Sequence, residues 1–133
     1  LSFIPPRAER TSEVVLNVER DVAVARRAVS KAMDAIGAKA TLKTRFVTAV
    51  SEIARNALVH GGGGVLLVFS DGDVVYIECR DDGAGIPDID AALRDGFSTA
   101  KSLGKGLGGA KRLVARFEIE TSSEGTIVRM ASG

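Results

Sequence analysis

The sequence predicts an α+β sandwich, with one mixed, largely antiparallel sheet covered on one face by helices. Three observations predict it. Alternating apolar residues read as half-buried strands, first at Val14, Leu16 and Val18 and again on either side of Asp71-Gly72, where the turn chemistry makes a hairpin. Two long runs carry apolar residues at helical spacing and stop at Gly37 and at Gly61. Antiparallel hairpins mixed with such helices pack as a single sheet with the helices on one side.

The elements follow in order. Residues 1–12 read as a tail or an expression remnant, with Pro5-Pro6 disfavouring helix, and residues 13–133 as a single domain. A strand spans Glu13 to Glu19. Asp21 is placed to cap a helix to Ile36 whose inner stripe is Val22, Ala25, Val29, Met33 and Ile36. Thr41 caps the next helix, seamed by Leu42, Phe46, Val50, Ile53 and Ala57. Val65 to Phe69 and Val74 to Cys79 form the hairpin strands. Pro87 opens a short helix through Leu93 that ends near Gly96, and residues 97–103 lack periodicity and read as a loop. Gly104 to Gly109 leads into an amphipathic helix with Leu113, Val114 and Phe117 inward. A strand at Phe117 to Thr121, a turn through Ser122 to Gly125 and a last strand to Met130 complete the chain. No repeat, low-complexity segment or internal linker interrupts it.

A length of 133 residues suits one domain with a real core. A net charge of +1 argues against a general nucleic-acid binder, which needs a basic excess to neutralise phosphates. The single cysteine, Cys79, sits in an alternating apolar run and reads as a buried structural thiol; no Cys/His cluster has zinc-ligand spacing. These features suit a reducing, cytoplasmic setting. No stretch is long and apolar enough to cross a membrane, and no signal peptide is visible.

Three stretches carry possible chemistry. Glu52, Asn56 and His60 fall at steps of four, so they share one broad face of the second helix, at the edge of its apolar seam. A carboxylate and an amide held four residues apart suit a divalent metal or a proton transfer; a merely polar outer face is the plainer alternative. Asp82-Gly83-Ala84-Gly85 follows a strand. Its glycines let the backbone turn beside a planar ligand and Asp82 offers an acceptor to an amino group, although Asp-Gly pairs are common in ordinary turns. Gly104-Lys105-Gly106-Leu107-Gly108 opens a helix, where unpaired N–H groups and the helix dipole suit phosphate, or where the glycines simply give a flexible loop. The ending of a Walker loop is absent, and the dinucleotide fingerprint does not fit. Lys101 and Lys105 flank the run, as phosphate ligands or solvated lysines. Arg55 is open between contact with a partner and pairing with a surface carboxylate, and His60 reads as packing or capping a helix end.

The joint pattern is more specific than its parts: Glu-x-x-x-Asn on a helix, Asp-x-Gly-x-Gly after a strand, a loop, Gly-x-Gly-x-Gly opening a helix, then Gly125-Thr126 between the last strands. From about Val14 to Met130 it resembles the GHKL ATP-binding fold of gyrase, the Hsp90 chaperone, histidine kinases and MutL. Ser51 to Asn56, Asp88-Ile89-Asp90, Asp95 to Thr99 and Gly104 to Leu113 look like the small RsbT-type serine-protein kinases of bacterial partner switching. The resemblance implies ATP and Mg²⁺ as cofactors. It implies that Asn56 holds the metal, that Asp82 with Gly83 and Gly85 meets adenine, that Gly104, Gly106 and Gly108 cover the phosphates, and that Thr126 supports adenine. Lys105 and Leu107 belong to that phosphate loop, and Ser98, Thr99 and Lys101 to a lid over ATP. Glu52 is the expected proton acceptor for a serine hydroxyl. The substrate implied is a STAS-domain antagonist protein, with a phosphatase as a second partner. An RsbW-like anti-sigma factor that sequesters a sigma factor, or a non-catalytic nucleotide-binding module, are the alternatives. Neither nucleic acid nor membrane is expected as a partner, and the oligomeric state is left open.

Overall fold

The computed structural model describes residues 2–86, 88–94 and 106–133. Strand β1 (Glu9–Leu16) leads through a short turn to α1 (Arg20–Ala35) and α2 (Ala40–Gly61). The hairpin β2 (Gly64–Ser70) and β3 (Val75–Asp81) follows, then the short α3 (Ile89–Ala92), α4 (Gly106–Leu113) and the closing hairpin β4 (Arg116–Ser122) and β5 (Gly125–Ala131). The strands lie in the order β1-β2-β3-β5-β4. Every pairing is antiparallel, where a mixed, largely antiparallel sheet was expected.

Strand periodicity explains the layering. Leu16, Leu66, Val68, Ile77, Cys79, Val128 and Met130 point to one face, where they meet Val22, Val29 and Met33 of α1 and Phe46, Val50 and Ile53 of α2. Both long helices turn their apolar stripe to this layer. Gly37 and Gly62 follow them in the left-handed region, at φ 71° and 73°. Cys79 lies in the core; burial, then the nearby Asp81 carboxylate, pushes its thiol up to about 12, which fits a structural role. No helix among the described residues is long and apolar enough to cross a membrane.

The structure differs from the sequence expectation at several boundaries. Strand β1 begins at Glu9 instead of Glu13, because its polar first half pairs with β2 through backbone bonds that need no apolar side chains. Residues 2–8, read as part of a tail, lie on the open face of the sheet. Arg116 sits 5.3 Å from the Phe3 ring and 5.6 Å from that of Tyr76, and Arg7 pairs with Asp71 at 3.2 Å. Tyr76 and Glu78 are buried on this face although no helix among the described residues covers it. Asp21 stands inside the first turn of α1, where its carboxylate accepts from the Asn17 and Val18 amides; those two bonds hold its pKa below the usual carboxylate range. Lys39, not Thr41, occupies the cap position of α2. Asp88 caps α3 by accepting from the Ala91 amide; Pro87 and Gly96, expected at its ends, lie outside the described residues. α4 stops at Leu113, and Phe117 reaches the core from β4. Finally β3 runs two residues past Cys79, so that Asp81 belongs to the sheet.

Candidate nucleotide site

The middle of α2 carries the polar pair. Glu52 is 3% exposed, at the border of the core, with Oε1 4.0 Å from Arg55 Nη1. Its Oε2 and that same Nη1 are both buried without a hydrogen-bond partner. Arg55 Nε donates to Glu19 Oε1 at 3.2 Å, which ties the N-terminal end of α1 to α2. One turn on, Asn56 is half-buried, and its side chain has no hydrogen-bond partner among the described residues. His60 is exposed in the last turn and stands apart from the pair.

The end of α2 forms a second cluster with the ends of β3, β4 and β5. Ile77, Cys79 and Asp81 alternate onto the helix-covered face, and Asp81 pairs in register with Thr126. The Asp81 carboxylate packs directly on Gly61, where a Cβ would collide with it, and accepts from the Gly83 amide at 2.9 Å. A Cβ on Gly83 would in turn lie 2.7 Å from Gly61 Cα. Thr126 is buried, its hydroxyl 2.9 Å from that of Thr121, which accepts from the Ile86 amide at 2.9 Å. Gly85, at φ 85°, passes so close to the Ser122 carbonyl that no side chain fits. The loop after β3 is thereby pinned to both α2 and the β4–β5 hairpin.

Asp82, the residue expected to face adenine, is exposed; with Asp81, Arg80 and Glu124 it borders a recess of about 350 Å³ along the hairpin end. The inward carboxylate is Asp81. The sequence reading missed it by ending the strand at Cys79, although the alternation Ile77, Cys79, Asp81 and the spacing Asp-x-Gly-x-Gly both start the motif at Asp81.

The phosphate end is described in part. Gly106 opens α4 at φ 52°. Leu107 is buried in the core, so only its backbone can meet a ligand. A side chain on Gly108 would collide with the Leu93 carbonyl, which gives this glycine a packing reason of its own. Ser98, Thr99, Lys101, Gly104 and Lys105 lie outside the described residues. No group of three or more His, Cys, Asp or Glu able to hold a metal occurs among the described residues. Asn56 nevertheless fits Mg²⁺: its amide is unengaged, and that ion takes one or two protein oxygens and completes its shell with phosphates and water.

A family model for the histidine kinase-like ATPase domain matches residues 15–132. The chain belongs to this family. Over 87% of its length this ATPase domain is 35% identical to the serine/threonine-protein kinase RsbT of Bacillus subtilis, covering 91% of that protein. It is 32% identical to the anti-sigma F factor of Bacillus licheniformis over 65% of this chain and 66% of that one. A crystal structure containing the RsbU and RsbW domains of a Mycobacterium tuberculosis protein superposes with a TM-score of 0.65 at 21% identity, over 91% of this chain and 32% of that one. The histidine kinase domain of a blue-light activated kinase from Erythrobacter litoralis gives 0.50 at 19%, over 96% and 68%. This ATPase domain is therefore an enzyme of kinase type that uses ATP. In it the two clusters on α2 lie along one helix, nine residues from Glu52 to Gly61, or roughly 13 Å at the helical rise.

Proposed function

We propose that this chain is a Mg²⁺- and ATP-dependent serine/threonine-protein kinase of a bacterial partner-switching pathway. It phosphorylates a STAS-domain antagonist protein and then acts on a second partner such as a phosphatase. The observation that carries the reading is the pair on α2: among the described residues, a buried carboxylate oxygen of Glu52 has no hydrogen-bond partner, and one turn away the amide of Asn56 is unengaged. A buried acceptor without a donor costs about 1–3 kcal/mol, and a ligand that supplies the donor relieves it. The match to RsbT along most of both chains supports the same activity.

Asp81 takes the adenine amino group in this reading, in place of Asp82, since it alone of the two turns to the helix-covered face beside Thr126. Asn56 holds the metal, which when bound spreads charge across the phosphates. Glu52 accepts the proton of the partner's serine hydroxyl as that oxygen bonds to the γ-phosphorus; the bond to the departing ADP oxygen breaks. The backbone amides at the start of α4 receive phosphate oxygens.

The anti-sigma F factors among the relatives favour a second reading, an RsbW-like protein that sequesters a sigma factor. One experiment separates the two. The chain is incubated with Mg²⁺, labelled ATP and the STAS and sigma proteins of its own genome. Label on the STAS protein supports the kinase, and co-purification with sigma but no label supports the second reading. Glu52→Gln should keep ATP binding and lower the transfer rate by about 100-fold or more. Transfer at the native rate removes Glu52 as the base.

A further inference from the structure

Two acidic side chains are buried among the described residues, Glu78 on the sheet and Glu52 on α2, and their arginines meet them differently. Glu78 accepts from Arg80 Nε at 2.7 Å and from Arg129 Nε at 2.8 Å. Glu52 has one cation within ion-pair reach among the described residues, Arg55, whose Nη1 stops 4.0 Å from Oε1. At that separation the charges attract without a hydrogen bond.

The other side of the Arg55 guanidinium is engaged. Its Nε donates to Glu19 Oε1 at 3.2 Å, from α2 to the cap position of α1. A pair of this kind contributes little to stability, because Glu19 is 68% exposed and water screens its charge. A tie between two helices therefore leaves unexplained why the far end of the fork is buried: among the described residues Nη1 has no acceptor, and Glu52 Oε2 no donor. Burial also keeps Nη1 from direct contact with an outside partner. The guanidinium thus faces Glu52 with its charge and withholds its bond.

We propose that Arg55 and Glu19 are positioning residues for Glu52. Arg55 fixes the buried carboxylate by its charge, and Glu19 holds Arg55 back so that Oε2 stays free to take a proton. Without the guanidinium, a buried charge would be left uncompensated. With the guanidinium bonded directly to it, as at Glu78, the carboxylate would be satisfied and a weaker base, because hydrogen bonds to the charged form favour that form. The Glu19 bond sets Arg55 between these two extremes. Glu19 contacts neither the carboxylate nor a phosphate in this scheme and acts through Arg55 alone. The role in proton transfer rests on the kinase reading above; the charge coupling of the three side chains does not.

The test has two arms. The first measures transfer of label from ATP to the STAS protein. Arg55→Met should lower kcat by about 30-fold and leave the KM for ATP within about twofold. In a Glu52→Gln background the same change should cost less than about twofold more, since it acts through Glu52. Arg55→Lys keeps the charge but lacks the fork that faces two carboxylates, and should recover part of the rate. Glu19→Ala should lower kcat by about fivefold in the native chain and leave it unchanged in Arg55→Met. The second arm is melting without nucleotide or substrate. Arg55→Met should melt about 5 °C below the native chain, and adding Glu52→Gln should recover most of that loss, because the uncompensated charge is gone. An equal fall in kcat in the native and Glu52→Gln backgrounds would show that Arg55 does not act through Glu52 and would overturn the proposal. Melting shifts that simply add, or a KM for ATP that rises as kcat falls, would overturn it as well. If the native chain labels no STAS protein, the proton-transfer role falls with the kinase reading, and melting still decides whether the side chains are coupled. Circular dichroism establishes that each variant is folded; should Arg55→Met fail, Arg55→Lys and Glu19→Ala carry the same comparison.

Discussion

The two clusters on α2 contrast in one respect: one is finished and the other is not. At the C-terminal end, Gly61, Asp81 and Gly83 interlock, and Thr121 and Thr126 bond to each other and to the loop after β3. In the middle, Glu52 Oε2 and Arg55 Nη1 are buried and, among the described residues, have nothing to bond, and Asn56 has no partner there either. Both lie on the same helix at the same border of the core, so exposure does not explain the contrast. Packing fixes Gly61 and Gly83 in the first cluster, and in the proposed reading an incoming nucleotide completes the second. Substitutions of the packed glycines at the finished end should therefore cost stability, those at the open end should cost binding, and those of Asp81, set against adenine in the proposed reading, should cost binding from within the finished end.

The largest expected effect tests the finished end. Gly61→Val drives a branched side chain into the Asp81 carboxylate, with the Gly83 backbone behind it, and should destabilise the fold by about 3 kcal/mol in urea unfolding. Adding Asp81→Gly removes the obstacle and should recover part of that loss. If the double variant is no more stable than the sum of the singles, the carboxylate is not what Gly61 accommodates.

Asn56→Ala tests the open end. With no hydrogen bond to break among the described residues, the variant should melt within about 0.5 kcal/mol of the native chain. Its affinity for MgATP should fall by about 2 kcal/mol, roughly thirtyfold. Calorimetry showing native affinity removes Asn56 from the metal, and a large loss of stability removes the contrast between the clusters.

A smaller effect separates the two aspartates. Asp81→Asn keeps the shape and one acceptor, and should weaken ATP binding by about 1.5 kcal/mol, near tenfold. Asp82→Asn, on an exposed residue, should change it by less than about twofold. Equal losses would return Asp82 to the site.

Much of this was legible in the sequence, and the misses have a common cause. Apolar spacing disclosed α1, α2 and both hairpins, because their buried faces repeat with the period of the element. The pairing of β1 from Glu9, the capping of α1 and α2 and the lodging of residues 2–8 on the sheet were not legible. Backbone bonds and contacts with distant residues such as Ser70, Asp71 and Arg116 produce them. The site shows the same division. Glu52 and Asn56 were marked by their spacing, whereas the choice between Asp81 and Asp82 depended on where β3 stops, the least legible kind of boundary. Gly61 was read as part of a helix end, and only the fold reveals that its missing side chain makes room for Asp81.

Asp71 supplies the control for a satisfied carboxylate, far along the sheet from the site. It accepts from the Asp73 and Val74 amides and from the Tyr76 hydroxyl, and Arg7 pairs with it. The two amide bonds first, then the Tyr76 and Arg7 contacts, bring its pKa down to about 2 from 3.8 against the opposing effect of burial. A depressed carboxylate contributes stability above its unfolded pKa and loses it as pH falls through the folded value. Asp71→Asn should therefore melt below the native chain at neutral pH, and the gap should narrow as the pH is lowered from 3.8 toward about 2. A gap that does not change over that window would mean that charge on Asp71 does not hold the β2–β3 turn. Saturating MgATP should leave the Asp71→Asn gap unchanged, since that carboxylate is satisfied without ligand. The same addition should raise the melting temperature of the native chain well above that of Asn56→Ala, which binds less of it. Equal ligand shifts in the native chain and Asn56→Ala would erase the distinction between a carboxylate the fold completes and a cluster the nucleotide completes.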